Sequence, residues 1–158
     1  MIYQFNNLVF SILLGLSDVS AASTVNIEKT KDIVCLSQAV FQEASNQSMQ
    51  GKIAVANVIN NRTKSDDYPD TICAVIKQHG QFSFWSHIKK IKENDPATKK
   101  QMEDSVKASM LVINKEVPDN TFNATAFVNL KIATSKAWLR NMKLTTKIQD
   151  HTFFKQKH

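Results

Sequence analysis

The sequence predicts a mainly helical α+β domain that closes with a small antiparallel β element. Two observations predict it. Apolar residues recur at three- and four-residue steps through the stretches before Lys115, and short β-patterned runs rich in aromatic residues occur only after Asn123. A third bounds the size: 158 residues with 42% hydrophobic and 22% charged side chains suit one globular domain around a single core.

The helices follow in order. From Lys31 to Ala44 the positions Ile33, Leu36, Val40 and Ala44 share one face, with Thr30 as the expected N-cap. Gln50 to Arg62 (QGKIAVANVINNR) is apolar around most of its circumference, which predicts a central buried helix whose Asn57, Asn60, Asn61 and Arg62 must find partners or face a cleft. After the turn-forming Ser65 to Pro69, a short helix from Pro69 to Gln78 turns Cys73 inward. His79 to Trp85 (HGQFSFW) reads as a loop presenting flat rings suited to sugar faces. Asp95 and Pro96 then open a long helix whose stripe of Met102, Val106, Met110 and Ile113 is core, ending near Lys115. Pro118 to Asn123 connects to two short strands, Thr125 to Leu130 and Lys147 to Phe154, on either side of a Trp138 segment.

Residues 1–23 stand apart. Leu8 to Leu16 is an apolar run followed by Ser20, Ala21, Ala22 and Ser23, the order of a signal peptide. No Lys or Arg precedes the run and Asp18 interrupts it. A releasable signal anchor, making transient membrane contact, is therefore the alternative, and a buried N-terminal helix is the third reading. The folded domain is then expected over residues 30–158, as a monomer in the envelope or secreted.

Lys and Arg outnumber Asp and Glu by 20 to 14, a formal charge of +6 that draws polyanions. The basic residues are scattered (Lys29, Lys52, Lys77, Lys89, Lys99) instead of forming an aromatic-interleaved arginine stripe, which argues against a nucleic-acid partner. Cys35 and Cys73 make an even count in a chain with an export signal, so they are a disulfide candidate; two buried thiols are the alternative. His79, His87, His151 and His158 show no ligand spacing with either cysteine, so no metal and no cofactor is expected.

One residue breaks the pattern of the first helix. At about 100° per residue, Glu43 falls about 20° from Leu36 and about 60° from Val40, on the apolar arc. A carboxyl group there must be neutralised, paired or used, and desolvation favours its protonated form, the state a general acid needs. A helix-end Glu that snorkels, or pairs with a Lys or with Arg62, is the other reading. The chain has no phosphate-cradling glycine loop, no GxSxG elbow and no HExxH pair. A Cys nucleophile with His151 as base is disfavoured because both cysteines sit on core-facing positions.

Four blocks in order, CLSQAVFQEAS, GKIAVANVINNR, YPDTICAVIKQHGQFSFW and ATAFVNLKIATSKAWLRNMKLTTKIQDHTFF, resemble the SleB-type cell wall hydrolases, the family that includes spore-cortex-lytic enzymes. The resemblance runs from Cys35 to Phe154. It implies a lysozyme-like, lytic-transglycosylase-like catalytic domain acting on peptidoglycan, at the bond between N-acetylmuramic acid and N-acetylglucosamine, with Glu43 at the position of the catalytic glutamate. By position, Gln81, Phe82 and Ser83 match the family's cleft loop, and Asn129 and His151 match residues of its small sheet; all five are expected to contact substrate. Trp138 and Phe153 are either sugar platforms or packing. Asp66, Asp67 and Asp70 lie on a loop that could supply a second carboxylate for ordinary hydrolysis. The chain departs from the family in two places: Ser45 and Asn46 stand where Arg-Gly follows the Glu-Ala pair, and Gln149 and Asp150 stand where a Gly precedes the last His. No separate wall-binding repeat is visible, so a phage-type endolysin is attractive.

Overall fold

The computed structural model describes residues 26–82 and 95–157. The leader reading of residues 1–23 and most of the aromatic loop, Ser83 included, lie outside them.

The first helix, α1, is Ile27–Ala44. It starts earlier than its apolar stripe because Asn26, in extended backbone, accepts a hydrogen bond from the Lys29 N–H at 3.1 Å. Thr30 is not the cap; its hydroxyl donates back to the Asn26 carbonyl. The stripe itself, Ile33, Leu36, Val40 and Ala44, is buried. Helix α2, Met49–Arg62, is capped by Ser48 and buried nearly all round, as a helix apolar on every face must be. It packs against α1 and against the long helix α4, Pro96–Ile113, with Asp95 capping Thr98 at 2.8 Å. Met102 and Val106 of α4 close a core cluster with Ile33 and Phe41 of α1. The short helix α3, Ile72–Lys77, begins after Thr71, whose hydroxyl accepts from Ala74 N–H, so Pro69 precedes the helix instead of opening it.

Cys35 on α1 and Cys73 on α3 form a disulfide with Cα atoms 5.4 Å apart. Cys73 is half-buried, at the seam between two helices, and not deep in the core. No described helix is long and apolar enough to cross a membrane.

The sheet is antiparallel with order β1-β3-β2: β1 is Ala126–Val128, β2 Met142–Ile148 and β3 His151–Gln156. The single strand expected over Lys147 to Phe154 is therefore the end of one strand, a turn and most of another. Gln149 bends the chain with φ of 51°, a left-handed conformation that Gly normally marks in a sequence. The Trp138 segment is a 3-10 helix, Ala137–Asn141. Phe153 is fully buried against Ala54 and Val58 of α2 and against Ala124, which fastens the sheet to the helices. Of the two readings of that ring, packing is the one realised.

Candidate active site

Glu43 lies half-buried in the last turn of α1. The end of that helix has orphan carbonyls, and the side chain that satisfies them comes from α2. Lys52 is 2% exposed and its ammonium donates to the carbonyls of Ala44, Ser45 and Gln47 at 2.9, 2.8 and 2.7 Å. Burial lowers the Lys52 pKa, partly countered by Asp104. Replacing it by Met would strip the ammonium from three carbonyls, of which only that of Ala44 keeps another donor, the Gln47 N–H at 3.0 Å, so Lys52→Met is expected to lose about 3 kcal/mol of stability in denaturant titrations and to fray the turn that carries Glu43.

From the other end of α2, Arg62 reaches towards the same carboxyl. It is 6% exposed, its Nε donates to the Thr125 carbonyl at 2.7 Å, and its guanidinium lies over the rings of Tyr68 and Phe82, 5.1 and 5.4 Å from their centroids. Burial pulls its pKa down, and its electrostatic interactions with Tyr68 and Glu43 offset part of that. Arg62 also lines a cleft of about 540 Å³, together with Tyr68, Gly80, Gln81, Phe127, Trp138 and Asn141. It is thus the link between Glu43 and the cleft. No carboxylate is among the described residues lining that cleft.

The β2–β3 turn is clamped to the corner between α1 and α2. The Gln149 Oε1 accepts from the backbone N–H and the hydroxyl of Ser48 at 2.7 and 2.9 Å, and Gln47 donates to Asp150 at 3.3 Å. A Cβ on Gly51 would stand 2.8 Å from the Gln149 Oε1 and 2.8 Å from the Gln47 Cβ, so this close approach requires glycine. Hydrogen bonds from Gln47 and then Lys131 hold the Asp150 carboxyl below its ordinary range. Gln149 and Asp150 thus spend their side chains joining the sheet to the corner between α1 and α2.

The residues matched by resemblance are placed differently from one another. Gln81 is exposed and lines the cleft, while Phe82 is buried and supports Arg62 from below. Ser83 lies outside the described residues. Asn129 accepts from Lys131 N–H at 3.0 Å and closes the turn after β1, and it is not among the cleft-lining residues. His151 is 8% exposed, edge-on to Phe127 with centroids 5.1 Å apart, and so stands behind a ring of the cleft wall. Trp138, 41% exposed, lines the cleft and is backed by Phe154. Tyr68 and Lys52 escaped the sequence reading. Tyr68 was hidden in a stretch that reads only as a turn, whereas the one signal for Lys52 was a charge on a helix with no polar face.

His151 carries a pH dependence. Burial lowers its pKa from 6.5, against the opposing pull of Asp150, and its Nδ1 is buried with no hydrogen-bond partner. Below pH 6.5 the unfolded chain takes up a proton that the folded chain refuses. Stability contributed by the neutral imidazole is full above that pH and falls as the pH drops towards the lower folded value. Urea midpoints measured from about pH 7.5 down to 5 should decline more steeply for the unaltered chain than for His151→Gln.

Asp119 fixes the approach to β1. Burial alone would raise its pKa, but hydrogen bonds from the Thr121 hydroxyl and N–H, Asn61 and the Asn123 N–H outweigh it and hold the carboxyl low. That network seats the turn on α2 and delivers the Thr125 carbonyl to Arg62. Among the described residues no cluster of His, Cys, Asp or Glu is placed to hold a metal ion.

Comparison with known proteins places this geometry. A family model described as Cell Wall Hydrolase matches residues 46–154, well over half of the chain, beginning just beyond Glu43. The spore cortex-lytic enzyme of Bacillus cereus is 30% identical over 124 residues, covering 78% of this chain and 44% of that protein. The chain thus spans less than half the length of the curated relatives it matches. Among solved structures, the catalytic domain of the germination-specific lytic transglycosylase SleB from Bacillus anthracis superposes with a TM-score of 0.64 at 27% identity, covering 89% of this chain and 100% of that one. The catalytic domain of the Bacillus cereus SleB protein gives 0.65 at 28% identity, covering 87% and 99%. The helices and the small sheet superpose on those of these catalytic domains, and the chain belongs to the cell wall hydrolase family.

Proposed function

We propose that this chain cuts the glycan strand of peptidoglycan between N-acetylmuramic acid and N-acetylglucosamine, as a lytic transglycosylase with Glu43 as acid and then base. The observation that carries the reading is the fold shared with the SleB catalytic domains; in it Glu43 is half-buried at the end of α1, near Arg62, which lines a cleft bearing the exposed ring of Trp138. The Glu43 carboxyl gives its proton to the glycosidic oxygen as the C1–O bond breaks, and the freed N-acetylglucosamine hydroxyl leaves. The resulting carboxylate takes the proton of the muramic 6-hydroxyl, whose oxygen bonds to C1 and closes a 1,6-anhydro ring. Glu43 ends protonated and no water is consumed. One carboxyl group suffices, unlike the paired carboxylates of ordinary glycosidases. None of the loop aspartates lines the cleft beside Arg62: Asp66 and Asp70 are exposed on their loop and Asp67 lines a different hollow.

Export through residues 1–23, with transient membrane contact, and action as a monomer on the envelope belong to the same reading. Incubating the purified chain with sacculi tests it. Release of soluble muropeptides is expected; pelleting with the sacculi and no release would make the chain a wall-binding protein instead.

A further inference from the structure

Next to the cleft, and sharing Gln156 with it, lies a second hollow of about 340 Å³. Its walls carry two ammonium groups, Lys64 just past α2 and Lys155 on β3, and one acid, Asp67. Neither lysine side chain makes an ion pair or a hydrogen bond among the described residues. Thr125 also lines the hollow, and its hydroxyl is buried with no hydrogen-bond partner. The floor is rigid: Thr125 N–H donates to the Phe154 carbonyl at 2.9 Å, its own carbonyl accepts from Arg62, and the Asn123 N–H is tied to Asp119.

Two unpaired cations, an idle hydroxyl and a single opposing carboxylate leave this hollow with one net positive charge and several donors. Arg62 and Thr125 connect it directly to the cleft. We propose that the hollow is a second binding site, which takes a carboxylate of the peptide stem borne by muramic acid while the glycan occupies the cleft. The identity of that ligand rests on the peptidoglycan reading above; the anion-binding chemistry does not. Lys64 and Lys155 supply the charge and the hydrogen-bond donors.

Binding separates this proposal from the activity. The Glu43→Gln chain is titrated with a free stem tetrapeptide, and with the same peptide fully amidated, while backbone amide resonances are followed. Shifts at Lys64, Asn123 and Thr125 with the free peptide, absent with the amidated one, are expected whether or not the unaltered chain cuts glycan. Equal shifts with both peptides, or none with either, would overturn the proposal. In kinetics, Lys64→Gln/Lys155→Gln is expected to raise KM on intact sacculi about tenfold with kcat held. On glycan stripped of stems by an amidase it should behave as the unaltered chain does. A loss of the same size on stripped glycan would reduce the lysines to general attraction for the wall. A loss that vanishes only after phosphate polymers are extracted would assign the hollow to a phosphodiester and overturn the carboxylate assignment.

Discussion

Glu43→Gln is expected to slow release of muropeptides by about 10²- to 10⁴-fold, the usual contribution of a positioned general acid, with thermal unfolding unchanged. Gln keeps the size of the side chain and its ability to accept from a neighbour but has no proton of the right acidity to give. The substitution leaves the Lys52 bonds to Ala44, Ser45 and Gln47 in place, so the end of α1 should hold its shape. Glu43→Asp, which draws the carboxyl back by one methylene, should also lose most of the rate, because proton donation depends on reach as much as on acidity. Undiminished lysis by Glu43→Gln would move the chemistry to another residue.

Opening the disulfide should have the largest effect on stability. Cys35 and Cys73 are 38 residues apart in sequence, and a crosslink closing a loop of that length restricts the unfolded chain by about 4 kcal/mol. For a domain of this size that is a large part of the whole stability. The bond joins α1, which carries Glu43, to α3, after which the chain runs directly to Gly80, Gln81 and Phe82 at the cleft. Cys73→Ser or treatment with a reductant is therefore expected to lower the melting temperature strongly and to lower activity near it. A melting temperature unmoved by reductant would show that packing between α1 and α3 alone fixes that edge.

The helical half of the fold was legible because its periodicity is complete. Ile33, Leu36, Val40 and Ala44, then Ile53, Ala54, Val55, Ala56, Val58 and Ile59, then Met102 and Val106 all became core. Helix starts were misplaced because the caps, Asn26 and Thr71, precede or interrupt the apolar pattern and act through single hydrogen bonds. The β hairpin was read as one strand because Gln149 makes the turn without a glycine and stabilises it with a side chain reaching Ser48, a contact between residues 101 apart in sequence. For the site, Glu43 drew attention as a carboxyl on an apolar arc, and Arg62 as a polar group needing partners. Their proximity, the stacking of Arg62 between Tyr68 and Phe82, and the buried Lys52 exist only once α1, α2 and the loop beyond α3 are packed together.

Mass spectrometry of the fragments released from sacculi tests the central claim most directly. A single carboxyl that returns its borrowed proton by way of the muramic 6-hydroxyl leaves 1,6-anhydro ends, one water lighter than hydrolysed ones, and Glu43→Gln should yield almost none. Fragments ending in reducing muramic acid, made at the same rate, would contradict the account and require a water and a second acid at the cleft.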